Sequence, residues 1–100
     1  MNATELFFDT IRKGFNDRLE VQIENNPEIV NTKDTRGFTP LIFATYFDNK
    51  KASEILLKHK AEIDAKDASG NTALIGVSFK GNLHITELLL SHSADINTAN

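Results

Sequence analysis

The chain has 100 residues, of which 40% are hydrophobic, and this length predicts a single domain. Eleven Lys and Arg residues against 14 Asp and Glu residues give a net charge of -3, and no basic run of five or more residues occurs, which disfavours nucleic acid or an anionic membrane as the partner. The chain has no cysteine for disulfides or thiolate chemistry, and no apolar run typical of a membrane span or a signal peptide, so we expect a cytoplasmic protein.

The first third of the chain predicts a pair of helices, at about residues 2–13 and 16–25. Asn2 followed by Glu5 is similar to a capping box, in which side chains bond the free backbone groups of the first turn. Gly14 tolerates the left-handed conformation that the turn between the helices needs. We assign three aromatic side chains to the core of this segment or to its cap: Phe7, Phe8 and Phe15.

The rest of the chain predicts two further helix pairs, at about residues 39–47, 49–59, 72–80 and 82–92. Thr39 and Thr72 stand where a hydroxyl can cap the first helix of each pair. Leu57 and Leu90 widen the apolar stripe of each second helix, which predicts burial on more than one side. An Asp three residues before a Gly predicts projecting turns at Asp34–Gly37 and Asp67–Gly70.

Residues 34–66 and 67–99 are two copies of one pattern, offset by 33 positions. Aligned without a gap, 12 of 33 positions are identical, against roughly two expected from average composition. Residues 1–33 follow the same plan in degenerate form. A fixed period of this length is typical of stacked units, none of which can bury its apolar face alone.

The letters TPLIFA at residues 39–44 resemble the T-P-L-H-x-A signature of the ankyrin repeat family, whose period is also 33. The letters TALIGV at residues 72–77 depart further from that signature. Ile42 and Ile75 stand where the family has a histidine. Because that histidine helps tie neighbouring repeats together by hydrogen bonds in this family, we expect an apolar substitute for those bonds here.

The resemblance implies an all-α fold: an ankyrin-type helix-turn-helix solenoid with short hairpin-like turns between repeats. It implies one domain over residues 1–100, divided into an N-terminal capping repeat at about 1–33, a repeat at 34–66 and a last repeat at 67–100. Arrays of this kind normally end in a repeat with a polar outer face. The apolar content of the last repeat therefore leads to the hypothesis that it is truncated or uncapped.

The resemblance also implies that the domain binds a partner protein through its concave face, which turn tips and first helices form. The positions that fall there are Arg36, Phe38, Tyr46, Phe47, Lys66, Ser69, Asn71, Phe79 and Lys80. Aromatic and Arg side chains often carry the energy of interfaces, so an aromatic patch with a basic rim predicts an acidic or mixed partner surface. One alternative is that Phe38 and Phe47 fold back onto their own repeat. Another is that Tyr46 and Phe79 pack against each other.

No motif in the chain indicates catalysis, a cofactor or a metal site. His59 and His92 recur at the 33-residue period, which places them about one repeat apart, too far to share a zinc ion. We interpret both as helix-end residues that favour the helix dipole when charged. The sequence therefore predicts a non-catalytic interaction module, with an enzyme as a distant rival because fold does not decide function.

Two further hypotheses concern the ends of the array. One is that the last repeat, with Leu83, Leu90 and Ile96, associates with another molecule or with a second copy of the chain, unless its Ser, His and Asn residues shield it. The other, an alternative to partner binding, is that the segment is a structural spacer in a longer array and that neighbouring repeats cover its patch.

Overall fold

The computed structural model describes residues 2–95, where the backbone forms six α-helices. They are α1 (Ala3–Lys13), α2 (Asn16–Asn25), α3 (Pro40–Tyr46), α4 (Lys50–Lys58), α5 (Ala73–Lys80) and α6 (Leu83–Ser91). A short 3-10 segment, Pro27–Asn31, follows α2. The predicted all-α plan of three helix pairs is confirmed, and each helix ends within one residue of its predicted limits. Ile96, part of the predicted apolar end, lies outside the described residues.

Side-chain caps begin the first helix of each pair, because the first backbone N–H groups of a helix have no partner within it. Thr39 Oγ1 accepts a hydrogen bond from the backbone N–H of Ile42 at 3.1 Å. Thr72 Oγ1 accepts from Ile75 at 3.2 Å, and the Asn2 side chain caps α1 in the same way. The predicted caps are therefore confirmed, and each one marks the entry of the chain into a repeat.

The turns between helix pairs are hairpin-like, as predicted. The carboxylates of Asp34 and Asp67 each accept hydrogen bonds, all at 2.9 Å, from the backbone N–H groups two and four residues later. Gly37 has a φ of 83°, a conformation that side chains disfavour. A Cβ built on Gly37 would lie 3.1 Å from Cβ of Ala68. The two turns thus pack side by side, and they project from the same edge of the helices.

The helix pairs stack in chain order. Helix α3 contacts both α1 and α5, and α4 contacts both α2 and α6, so first helices form one layer and second helices another. Burial of a large apolar side chain stabilises a fold by about 1.5–3 kcal/mol, and here that burial occurs between layers and between pairs. The most deeply buried side chains include Phe7, Ile11, Leu19, Ile23, Leu41, Leu56, Ile85 and Leu89.

Two apolar residues lie elsewhere than in the predicted core. Phe15 precedes α2 and is about half exposed, with the guanidinium of Arg18 5.1 Å from the centre of its ring. Leu57 packs partly buried against the core, but its counterpart Leu90 is 44% exposed, so the prediction of two-sided burial was wrong for Leu90. The physical reason is that, within residues 2–95, no helix follows α6 to cover its outer side.

The expectation that apolar contacts replace hydrogen bonds between repeats was also wrong in part. Asn49 caps α4, because its Oδ1 accepts from the backbone N–H of Ala52 at 3.1 Å. Its Nδ2 donates to the carbonyl of Ile11 and to Oδ1 of Asn16, both at 3.0 Å. One carboxamide therefore starts a helix of the second pair and fastens that pair to the first.

Similar polar links recur along the array. Asn82, 33 residues after Asn49, caps α6 and donates to the carboxylate of Asp48. At another repeated position, Asn31 Oδ1 accepts from a backbone N–H of the next pair, that of Glu62, at 2.8 Å. Asp64 does the same for Asp95 at 2.9 Å. Short polar side chains at the turns thus join neighbouring repeats by hydrogen bonds.

An ion pair adds to the junction between the first two helix pairs. Glu20 Oε1 of α2 lies 2.7 Å from Lys58 Nζ and 3.1 Å from His59 Nε2. The hydrogen bond from Lys58, followed by that from His59, holds the pKa of Glu20 below its usual value, and the pKa of Lys58 is correspondingly raised, chiefly by Glu20. His59 therefore contacts a carboxylate of the preceding pair in addition to ending α4.

We predict that Asn49→Ala lowers the free energy of unfolding by about 2–3 kcal/mol. The change removes a helix cap, worth about 1 kcal/mol, and the hydrogen bonds that Asn49 donates to the Ile11 carbonyl and to Asn16, worth about 1 kcal/mol each. Urea unfolding followed by circular dichroism measures the difference.

The matched control is Asn82→Ala, which removes the equivalent cap and a more exposed link to Asp48. We expect a loss of only about 1 kcal/mol. Equal losses in the two variants would show that Asn49 acts as a cap and does not join the pairs.

Candidate functional site

A groove of about 400 Å³ lies between the second and third helix pairs. Helices α3 and α5 and the two projecting turns supply its walls, which are mainly apolar. We call it the inter-repeat groove. It is lined by Arg36, Phe38, Ile42, Phe43, Thr45, Tyr46, Phe47, Asp67, Asn71, Thr72, Ala73, Gly76, Val77, Phe79 and Lys80.

A series of aromatic rings in contact with one another forms one wall of the groove. The ring of Phe43 is buried, and its centre lies 5.1 Å from Phe8 of α1 in an edge-to-face arrangement. It also lies 4.7 Å from Phe47, whose centre is 5.3 Å from Tyr46. Aromatic pairs at such spacings attract beyond the area that they bury. The wall is thus anchored in the core at one end and is exposed at the other.

The sequence left two alternatives: that Phe38 and Phe47 fold back onto their own repeat, and that Tyr46 and Phe79 pack against each other. Phe38 is partly buried against the core, and Phe47 packs on Phe43 of its own repeat, so both fold back in part. Tyr46, 59% exposed, contacts Phe47 and the ammonium of Lys80. Phe79 is 87% exposed on the opposite wall. The groove therefore keeps large apolar surfaces open on both sides.

Two cations stand over the aromatic rings. The Arg36 guanidinium lies 5.0 Å from the centre of the Phe38 ring and 3.6 Å from the Asp34 carboxylate. The Lys80 ammonium lies 4.4 Å from the centre of the Tyr46 ring and donates to the Tyr46 carbonyl. A cation over a ring face is attracted by the negative charge of that face. Positive charge is thus held at the rim of an apolar groove.

The groove depends on a glycine that the sequence analysis did not single out. In the 33-residue register, Gly76 of α5 occupies the position of Phe43 in α3. A Cβ built on Gly76 would meet no heavy atom within 4 Å beyond its own helix backbone and chain neighbours. A large side chain fills this position in the second pair, whereas the third pair leaves it empty. The gapless alignment of the two copies contains this exchange, but it falls among the 21 positions that differ.

The structure brings most of the predicted binding residues together. Those that line the groove are Arg36, Phe38, Tyr46, Phe47, Asn71, Phe79 and Lys80. Lys66 and Ser69 are exposed near the tip of the projecting turn, outside the lining. Their role in binding, like that of the groove residues, stays a prediction. The prediction omitted the other residues of the lining, which are Ile42, Phe43, Thr45, Asp67, Thr72, Ala73, Gly76 and Val77.

The charged groups in the groove lining are Arg36, Lys80 and Asp67. Asp67 already accepts two backbone hydrogen bonds from its own turn. In residues 2–95, no group of three or more His, Asp or Glu side chains could hold a metal ion. The same part of the chain contains no helix both long and apolar enough to cross a membrane. The groove chemistry is that of an apolar recess with a basic rim.

A second apolar surface lies on the outer side of the third helix pair. Leu83 of α6 is 72% exposed, and Leu90 of the same helix and Phe79 of α5 are exposed as well. A shallow recess there is lined by Leu74, Ile75, Ser78, Phe79, Thr86, Leu90 and Asp95. Phe79 thus lines both recesses and Leu90 lines the outer one alone, whereas Leu83 lines neither.

Comparison with known families agrees with the stacked architecture. The family model described as ankyrin repeats, in three copies, matches residues 7–100. The match includes the degenerate first segment from residue 7 onward, and helices α1 and α2 of this segment stack like those of the other pairs.

We predict that Gly76→Ala raises the free energy of unfolding by about 1 kcal/mol. Glycine weakens the interior of a helix by about that amount relative to alanine, and the space next to Gly76 is open. Chemical unfolding of the wild type and the variant measures the change.

The control is Gly81→Ala, at a glycine that also has open space beside it but a φ of 72°. Alanine in this left-handed conformation costs about 1 kcal/mol, so stability falls. Destabilisation by both variants would mean that the Gly76 position is not open.

Proposed function

Because the chain belongs to the ankyrin repeat family, we propose that it binds another protein through the inter-repeat groove on its concave face. Ankyrin repeats are generally protein–protein interaction modules, and the family is typically a non-enzymatic scaffold. Our proposal for this chain includes the absence of any catalysis of its own.

One observation carries the proposal: Tyr46, Phe47 and Phe79 are exposed around a recess whose lining is mainly apolar. Isolated exposed apolar residues are ordinary, but a contiguous patch in a concave surface is typical of a binding site. The rings of Tyr46 and Phe47 are held by their contacts with each other and with Phe43. Side chains that are held in place lose little conformational freedom when a partner covers them.

The identity of these residues also supports a site for a protein. Tyr and Arg are enriched among the few interface residues that dominate binding energy. Truncation of such a residue costs about 2 kcal/mol or more where a partner buries it, which is roughly a 30-fold change in affinity. The basic rim of Arg36 and Lys80 suits an acidic or mixed partner surface and would speed the encounter with it.

We predict that Phe79→Glu reduces capture of the partner from a lysate of the source organism by roughly 30-fold in affinity. The substitution puts a carboxylate on the most exposed wall of the groove, where burial by a partner would leave it unpaired. Quantitative mass spectrometry compares the proteins held by immobilised wild type and variant.

Leu83→Glu is the matched control, because Leu83 is a similarly exposed apolar residue of the same helix pair that does not line the groove. Both variants must melt at the wild-type temperature. A protein retained by wild type and Leu83→Glu but lost by Phe79→Glu supports the groove. Equal capture by all three would contradict the proposal and favour the spacer alternative.

A second candidate function is self-association through the outer side of the third pair, which Leu83 and Leu90 favour by their exposure. Exposed apolar surface of this kind would be removed from water in a dimer. We predict a concentration-dependent increase in sedimentation coefficient for wild type that Leu83→Glu abolishes. A sedimentation coefficient that stays monomeric from micromolar to millimolar concentration would rule this candidate out.

A further inference from the structure

We infer that the inter-repeat groove receives an aromatic side chain of a partner segment, with a carboxylate close to that ring. The inference rests on the proposed function and specifies the chemistry of the partner. Two features of the groove carry it: the space left at Gly76, and the charge at the rim.

The space beside Gly76 corresponds to the position that a phenylalanine side chain fills in the preceding repeat. At the junction of the first two helix pairs, the ring of Phe43 on α3 packs on that of Phe8 on α1, with 5.1 Å between the ring centres. At the next junction the equivalent position is Gly76, which supplies no side chain. The two residues before it match their counterparts closely: Leu74 stands for Leu41, and Ile75 for Ile42. The backbone repeats, so the side chain that is absent leaves room for a ring.

The walls around that space suit an aromatic ring better than an aliphatic chain. Phe43 and Phe47 lie 4.7 Å apart with an angle of 57° between their rings, and Tyr46 stands edge-to-face on Phe47 at 5.3 Å. Rings prefer offset or edge-to-face neighbours at such spacings, so a further ring can extend the series. Phe79, largely exposed across the groove, offers a second apolar surface to the same ring.

The volume of the groove allows more than a ring. At about 400 Å³ it falls within the range of sites that enclose small molecules, so it can hold one side chain together with adjoining backbone. A protein segment provides both. A groove that held a ring alone would leave part of its apolar wall in water.

The positive charge at the rim of the groove favours a partner carboxylate next to the inserted ring. Arg36 has a side chain that is 67% exposed, and its nearest carboxylate, that of Asp34, is 3.6 Å away. The oxygen Asp34 Oδ1 is already bonded to two backbone N–H groups of its turn. The ammonium of Lys80 lies over the Tyr46 ring. A partner carboxylate can reach these two cations at the exposed rim, whereas a basic partner would meet like charge.

The test is a selection of random peptides displayed on phage against the wild-type domain. Phage that also bind Gly76→Phe are removed in each round, because that substitution replaces the missing ring and fills the groove. We expect the recovered peptides to share an aromatic residue with an Asp or Glu beside it. Fluorescence anisotropy then measures the affinity of individual synthetic peptides.

Three measurements on a selected peptide decide the chemistry. Its aromatic residue changed to Ala should weaken binding about tenfold or more, since a buried ring is lost. Its acidic residue changed to the amide should weaken binding and reduce the dependence on salt. The double variant Arg36→Gln/Lys80→Gln should produce the same loss, with little further loss when both changes are combined.

The outcomes separate the inference from the proposed function. Groove-dependent peptides that carry aliphatic or basic residues at these places would overturn the inference and leave the proposed function standing. Peptides that are recovered only when the Gly76→Phe step is left out of the selection, or no recovered peptides at all, would overturn both. Amide chemical shifts of Gly76 and Val77 in the wild type, titrated with a selected peptide, give the same decision without relying on the folding of a variant.

Discussion

Each helix pair in this protein has apolar surface that only its neighbours can cover, and the rest of the structure depends on this constraint. Leu41 and Leu56 of the second pair are buried because the first and third pairs lie on either side. The 33-residue period brings equivalent positions into register at each junction. A substitution at one position therefore acts on the contact between two pairs as well as on its own helix.

The same register explains how the polar links are placed. Asn16, Asn49 and Asn82 recur at one point of the repeat, where the second helix of each pair begins. A carboxamide can accept from the helix start and donate to the preceding pair at the same time. Asn49 does so with three partners at 3.0 to 3.1 Å. A short side chain at a turn can thus join neighbouring repeats by hydrogen bonds in a chain that has Ile42 and Ile75 at the histidine position of the family signature.

The inter-repeat groove is the place where the repeat is least complete. Gly76 supplies no ring where Phe43 supplies one, and the end of the aromatic wall that Phe47 and Tyr46 form is left exposed. Departure from a repeat at one position thus produces a surface that no single helix pair contains. The proposed binding function and the aromatic, acidic character of its partner follow from this departure and from the cations beside it.

The sequence by itself determined the helices, their caps, the hairpin-like turns and the stacking, because these depend on local hydrogen bonds and on a periodic pattern. Thr39, Thr72, Asp34 and Asp67 act as their positions predicted. The sequence also indicated most residues of the groove, since turn tips and first helices occupy fixed places in the repeat. Only the tertiary structure decided that the Lys80 ammonium lies over the Tyr46 ring and that Phe47 packs on Phe43 while Phe79 stays exposed. It also decided that Asn49 joins two helix pairs by hydrogen bonds. These contacts depend on rotamers and on distances between separate repeats, which a one-dimensional period does not specify.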